Sequence, residues 1–179
     1  VLPYTIGDYL ANEIRTGPIP TNTKEFDQAE EKVQNTLLKL IEINGSKTVD
    51  YFHKRLGKIM WEYVGMARNK DGLEYAISEI KKIRNEFWNE VKIPGGLDEM
   101  NSELEKAGRV ADFLELGELF AKDALERTES AGGHFREESQ TPEGEALRND
   151  KDFAFTSAWE YIGEPSEAIL HKEELEFLI

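Results

Sequence analysis

The sequence predicts an all-α fold, an antiparallel three-helix bundle of the spectrin-repeat type with an extra helical segment and a C-terminal β-hairpin or extended tail. Three observations predict it. Four long stretches carry apolar residues at steps of three and four, the spacing of one helix face. Short groups of glycine, proline and asparagine separate these stretches. Rough alternation of apolar and polar residues, the period of a strand, occurs near the C-terminus.

The first segment, residues 1–22, is rich in helix-breaking residues, namely Pro3, Gly7, Gly17, Pro18 and Pro20. Proline removes a backbone donor and interrupts a continuous helix. The pattern predicts an extended arm, with a short helical turn around residues 8–14.

The second segment, residues 23–133, contains the four amphipathic stretches. They predict helices over residues 23–43, 47–67, 73–91 and 98–129. Amphipathic helices joined by short connections bury their apolar faces against one another, and an antiparallel bundle is the simplest solution. Trp61, Trp88 and Phe120 widen these faces beyond one stripe. They indicate either a thicker core or a surface that another domain covers.

The last segment, residues 134–179, begins with a polar, irregular stretch. Residues 153–161 then alternate, Gly163 and Pro165 mark a turn, and residues 168–177 form a second candidate strand. The pattern predicts a terminal hairpin.

Composition excludes several classes of function. The chain has 36 acidic and 22 basic residues among 179, a net charge of -14. Such acidity argues against nonspecific nucleic-acid binding and against docking on an anionic membrane surface. No apolar run approaches the roughly 20 residues of a membrane helix, so we expect no membrane insertion. The absence of cysteine excludes disulfides and thiolate metal sites within the chain.

The sequence contains no complete catalytic, cofactor or metal motif. The glycine patterns of dinucleotide and phosphate loops are absent, as is the elbow of serine hydrolases. His53, His134 and His171 lie far apart, and Glu115 and Glu118 are interpreted as a solvated pair on one helix face. We therefore assign no catalytic, cofactor-binding or metal residue.

One polar segment, residues 127–138, follows the predicted end of the fourth helix. It gathers charged and hydrogen-bonding side chains, including Glu129, His134 and Arg136. One interpretation is a helix stop followed by a salt-bridged loop. The other is a docking segment in which these three side chains reach a neighbouring domain.

The same segment carries a family resemblance. Residues 129–138, ESAGGHFREE, resemble the Ser-x-Gly-(Gly/Ala)-His-x-Arg-(Glu/Asp) stretch of the flavoprotein subunit of succinate dehydrogenases and fumarate reductases. Ala131 departs from the pattern, because many relatives have arginine and others cysteine there. Further similar segments, in the same order, cover residues 2–8, 57–68, 104–119, 158–160 and 170–172.

The resemblance implies the C-terminal helical domain of such a subunit, which braces the FAD-binding domain and offers subunit surface. It implies that residues 1–22 are a linker arm from the FAD domain, and that FAD and the catalytic residues belong to the parent, outside this chain. The chain alone is then inactive. The implied partners are the FAD-binding domain of the same chain and an iron–sulfur subunit. The implied location is cytoplasmic, with the parent complex peripheral on the cytoplasmic face of the bacterial inner membrane.

The alternative is a free-standing helical adaptor that binds another protein through its apolar faces, since a bundle does not determine function. Co-purification with a flavoprotein would favour the first interpretation. Both succinate oxidation and fumarate reduction remain open for the parent.

Overall fold

The computed structural model describes residues 2–12, 20–163 and 167–176. The chain divides into two compact units, Val1–Thr36 and Leu37–Ile179. The first contains helix α1, Leu2–Asn12, and the beginning of helix α2, Lys24–Ile43. α2 therefore starts and ends close to the predicted bounds of 23 and 43.

Residues 2–12 form α1 where an extended arm was predicted. Pro3 lies in the first turn of the helix, where a missing N–H breaks no intrahelical bond, and Gly7 alone does not end a helix. Residues 13–19 lie outside the described part of the chain. The linker role of residues 1–22 remains a prediction.

The second unit is built on three helices that all contact one another: α3, Val49–Tyr63; α4, Lys70–Glu90; and α5, Ser102–Glu126. The helical bundle predicted from the apolar periodicity is confirmed. Its main core is formed by large apolar side chains of α3, α4 and α5, including Phe52, Ile80, Phe87 and Leu114, together with Leu40 near the end of α2. The rings of Phe52 and Phe87 meet edge to face, with centroids 5.3 Å apart.

Polar side chains set the first residue of each bundle helix. Thr48 Oγ1, Asn69 Oδ1 and Asn101 Oδ1 accept hydrogen bonds from backbone N–H groups three residues later, at 3.2, 2.8 and 3.0 Å. These bonds satisfy donors that have no partner inside the helix. The third helix, predicted to start at residue 73, begins earlier, because Asn69 caps α4 and the next three residues form its first turn.

Two short strands join the connections before α3 and after α4. β1, Lys47–Thr48, pairs in parallel with β2, Val91–Lys92. Gly45 makes this approach possible, because a Cβ at that position would lie 2.2 Å from the carbonyl of Glu90. The Gly45 N–H donates to the carbonyl of Val91 at 3.0 Å.

A buried ion pair crosses the interface of α4 and α5. Arg84 Nη1 donates to Glu118 Oε2, and Glu118 is fully buried. Lys81 Nζ lies 3.8 Å from the other carboxylate oxygen. The interpretation of Glu118 as part of a solvated pair is therefore wrong. Its side chain faces α4, and the spacing of residues along α5 does not reveal which face of the helix a neighbouring helix covers.

The C-terminal hairpin is confirmed. After the short helix α6, Asp150–Phe153, strand β3, Phe155–Glu160, pairs antiparallel with β4, Ile169–Glu174. Trp159 attaches the hairpin to α5 by donating from Nε1 to Asp123 Oδ1 at 2.9 Å. In the described part of the chain, no helix has both the length and the apolar character needed to cross a bilayer.

Candidate docking site

The polar loop after α5 folds back on itself in a tight turn. Ala131 and His134 exchange backbone hydrogen bonds of 2.9 and 3.0 Å around Gly132, whose φ of 58° is left-handed. Ala131, the position that departs from the family pattern, contributes both main-chain bonds of this turn. The loop is also tied to the start of α4, since Arg68 N–H donates to Phe135 O and Glu137 N–H to Arg68 O.

Arg136 caps the C-terminal end of α5. Its side chain is 3% exposed, and Nη1 donates to the carbonyls of Ala124, Leu125 and Arg127 at 2.9, 3.2 and 3.3 Å. The last carbonyls of a helix lack partners within it and carry partial negative charge, so a guanidinium is well suited to them. The Arg136 N–H also donates to the buried Ser130 Oγ at 2.8 Å.

His134 lies half-buried between the same helix end and Arg68. Arg68 Nη1 lies 2.6 Å from Nδ1, and the carbonyl of Arg127 lies 2.7 Å from Nε2. A guanidinium only donates and a carbonyl only accepts, so the ring is neutral with its proton on Nε2. Burial, followed by the charges of Arg68, Arg136 and Arg127, lowers the pKa of His134.

Glu129 joins this loop to the hairpin. It is 3% exposed, with Oε1 2.6 Å from Arg127 Nη1 and Oε2 accepting the N–H of Asn149 at 2.8 Å. Arg127 also donates to the carbonyls of Phe153 and Phe155, both at 3.2 Å. The Glu129 carboxylate therefore links the end of α5 to the residue before α6, and Arg127 makes the contact with the first residue of β3.

The three residues predicted for docking thus lie in one cluster, and each is bonded within the chain. Glu129, His134 and Arg136 position the loop, and their exposed neighbours form its outer surface. Contact of these three with another domain stays a prediction. The sequence interpretation of a helix stop followed by a salt-bridged loop describes the local geometry well.

A separate apolar face runs along α3 and α5. The exposed fraction is 85% for Trp61, 60% for Leu116 and 56% for Phe120. Between the two helices lies a groove of about 290 Å³, lined by His53, Leu56, Gly57, Met60, Phe113, Leu116, Gly117 and Phe120. We call this the α3–α5 groove.

A second groove of about 660 Å³ adjoins the first at Phe120 and runs past Trp61 and Met66 to Arg68. The Arg68 guanidinium stacks over the Phe120 ring, 5.4 Å from its centroid. The apolar pattern of the sequence indicated Trp61 and Phe120 but did not indicate the groove between them. Trp88, singled out with them, is half-buried, packs on the core and lies beneath Lys39, with Nζ 4.6 Å from its ring centroid.

The lining of the α3–α5 groove differs from that of a nucleotide site. The α3–α5 groove is lined by apolar side chains and one histidine, and it presents no row of backbone donors at a helix start for phosphates. Among the described residues, no three histidine, aspartate or glutamate side chains come together as metal ligands. The face is suited to packing against protein.

Comparison with known proteins places residues 53–178 in the family described as fumarate reductase flavoprotein C-term. The chain is 34% identical over 110 residues, 62% of its length, to an uncharacterised FAD-dependent oxidoreductase of Methanocaldococcus jannaschii. It is 30% identical over 131 residues, 73% of its length, to the fumarate reductase flavoprotein subunit of Helicobacter pylori. These matches cover 19% and 18% of the two relatives, so the chain spans about a fifth of their length.

The fold is similar to that of solved structures. Part of a chain of the Escherichia coli quinol fumarate reductase superposes on 94% of this chain with a TM-score of 0.75, at 20% sequence identity. The match covers 27% of that chain. At this identity the likeness concerns the fold.

Proposed function

Since the chain belongs to the family of fumarate reductase flavoprotein C-terminal domains, we propose that it serves as the structural C-terminal domain of a succinate dehydrogenase or fumarate reductase flavoprotein subunit. Its task is to brace the FAD-binding domain of the same polypeptide and to offer surface to an iron–sulfur subunit. The parent supplies FAD and the chemistry. The parent complex lies on the cytoplasmic face of the bacterial inner membrane.

One observation carries this proposal: the exposed apolar face on α3 and α5. Monomeric proteins rarely expose a large contiguous apolar patch, and such patches mark surfaces that pack against protein. Burying a large apolar side chain contributes roughly 1.5–3 kcal/mol. Trp61, Leu116 and Phe120 together offer several kcal/mol to whichever surface covers them.

Two features of this chain support this division of labour. The sequence lacks a dinucleotide-binding glycine motif, and the α3–α5 groove is lined by apolar side chains and one histidine. The buried ionic groups Arg84, Glu118, Glu129 and Arg136 are bonded to one another or to the backbone. The chain is thus organised to keep its shape and present a surface.

The test uses the complete polypeptide that carries this chain. We expect it to retain FAD and oxidise succinate or reduce fumarate. The variant Trp61→Ser/Leu116→Ser should release the domain from the flavin domain, measured as faster proteolysis between the two. The matched control is Leu97→Ser/Met100→Ser, which changes two exposed apolar residues in the connection before α5.

Equal proteolysis of the two double variants would argue against the α3–α5 face as the docking surface. A complete polypeptide without a flavin domain, or a pure chain that itself binds FAD, would contradict the proposed function as a whole.

A further inference from the structure

Gly57 stands on the exposed face of α3, nine residues into a fifteen-residue helix. Glycine in a helix interior is destabilising relative to alanine, because it loses more backbone freedom on folding. A packing contact inside the chain would explain it. Among the residues that the structure describes there is none, since a Cβ added at Gly57 would meet no atom within 4 Å.

Gly117, on the α5 side of the groove, is a glycine whose presence is explained by packing inside the chain. A Cβ there would lie 3.3 Å from Met60 Sδ and 3.4 Å from Leu56 Cδ1, so the glycine lets α5 pack closely on α3. Gly57 is also a glycine inside a helix, but no described atom lies close to the position of its missing Cβ. Packing among the described residues therefore does not account for this glycine.

The neighbours of Gly57 show what could approach it. His53 and Trp61 are four residues away on either side and therefore share its helix face. Trp61 is 85% exposed, and Phe113 and Phe120 of α5 form the far wall. The glycine thus leaves a gap between two ring-bearing side chains, open to solvent and leading into an apolar groove.

At its polar end, the exposed face of α3 and α5 reaches Arg68, a positively charged side chain that favours a negatively charged partner. In the described part of the chain, Arg68 has no carboxylate within ion-pairing distance; its Nε donates to the carbonyls of Val64 and Gly65, both at 3.0 Å. Two glutamates also lie on the rim: Glu62, in an exposed pair 3.8 Å from Lys58 Nζ, and Glu137, whose Oε2 accepts from Asn69 Nδ2 at 2.7 Å. Because Nη1 already contacts His134 Nδ1 at 2.6 Å, Nη2 is the nitrogen with which Arg68 can pair with an incoming carboxylate.

We infer that Gly57 is the point at which main chain of the flavin domain crosses α3. An apolar segment of that domain lies against the glycine, inserts a side chain into the α3–α5 groove, and carries a carboxylate towards Arg68. This inference rests on the proposed function, and the chain's length, about a fifth of its relatives, leaves ample polypeptide to supply the segment. A larger residue at position 57 would close the gap without disturbing the chain's own core.

The experiment measures hydroxyl-radical labelling of Trp61 in the complete polypeptide, with the fully exposed Met100 as internal standard. We compare wild type with Gly57→Leu, and use Gly108→Leu as matched control. Gly108 is also interior to a helix, meets nothing within 4 Å of an added Cβ, and does not line the groove. Leucine is the better helix former at both positions, so both variants retain the fold.

We expect Trp61 of wild type and Gly108→Leu to be protected by about tenfold relative to Gly57→Leu. Intermediate labelling of Gly57→Ala would agree with a steric cause. Strong protection of Trp61 in all variants would overturn the crossing at Gly57 and leave the docking face intact. Unprotected Trp61 in wild type would overturn the docking face itself, and with it this inference.

Discussion

Replacing Arg136 by methionine removes the cation that satisfies the C-terminal end of α5 while keeping a side chain of similar length. Nη1 donates to three carbonyls, the shortest bond being 2.9 Å to Ala124. A hydrogen bond from a charged donor contributes about 1.5–3 kcal/mol. The three acceptors share one nitrogen, so we count one such bond, and the charge at the helix end adds roughly 0.3–1 kcal/mol. The free energy of unfolding should fall by about 2–4 kcal/mol.

Thermal unfolding followed by circular dichroism at 222 nm measures this loss. In a domain of this size 1 kcal/mol shifts Tm by about 2–4 °C, so Arg136→Met should melt roughly 5–15 °C lower. Arg109→Met is the control on the same helix. Arg109 pairs with Glu105 one turn away, and both side chains are at least 60% exposed, so its loss should cost less than about 0.5 kcal/mol.

Equal melting temperatures for Arg136→Met and Arg109→Met would refute this reasoning. The bonds at the end of α5 would then contribute nothing measurable to stability. The role of Arg136 would then have to be sought in contact with another domain, the second of the two interpretations of residues 127–138.

Three further predictions follow from the same structure. Because the pKa of His134 is lowered on folding, its contribution to stability should be fully present above about pH 6.5, the pKa of an unfolded histidine, and should be lost as pH falls towards the lowered folded-state pKa. Urea titrations at several pH values should show that the free energy of unfolding of His134→Gln depends less on pH than that of the wild type. An equal pH dependence in the two proteins would contradict a lowered pKa for His134. Glu118→Ala removes the buried carboxylate to which Arg84 donates and should lower the free energy of unfolding by about 3–5 kcal/mol, whereas Arg84→Met/Glu118→Leu should lower it far less. Equal urea midpoints for the single and the double variant would count against a buried ion pair between these two residues. Gly57→Ala and Gly108→Ala should each raise the free energy of unfolding by about 0.5–1 kcal/mol, and a loss of stability at either position would show that its Cβ meets an obstacle.

The helix boundaries show how far local pattern reaches. The apolar periodicity of the bundle helices predicted their existence, yet α4 begins at Lys70 where residue 73 was expected, and α5 at Ser102 where residue 98 was expected. The two helices start where they do because Asn69 and Asn101 cap them. An asparagine side chain that accepts a nearby N–H serves a turn and a helix cap alike, so sequence does not distinguish the two.

The residues of the candidate site could be predicted from the sequence, but their three-dimensional arrangement could not. Glu129, His134 and Arg136 lie close together in the sequence, and the family pattern drew attention to them. The partner that determines the state of His134 is Arg68, 66 residues away, and it reaches the ring only because the loop pairs with the start of α4.

The sequence by itself determined that four amphipathic helices and a hairpin would form, and it carried the family pattern, because periodicity and short motifs are local properties. Only the tertiary structure decided which face of each helix is covered. It buried Glu118, left Trp61 and Gly57 on an open groove, and turned Arg136 inward onto the end of α5. The physical reason is that burial depends on how each helix is rotated against its neighbours, and that rotation follows from the packing of the whole bundle.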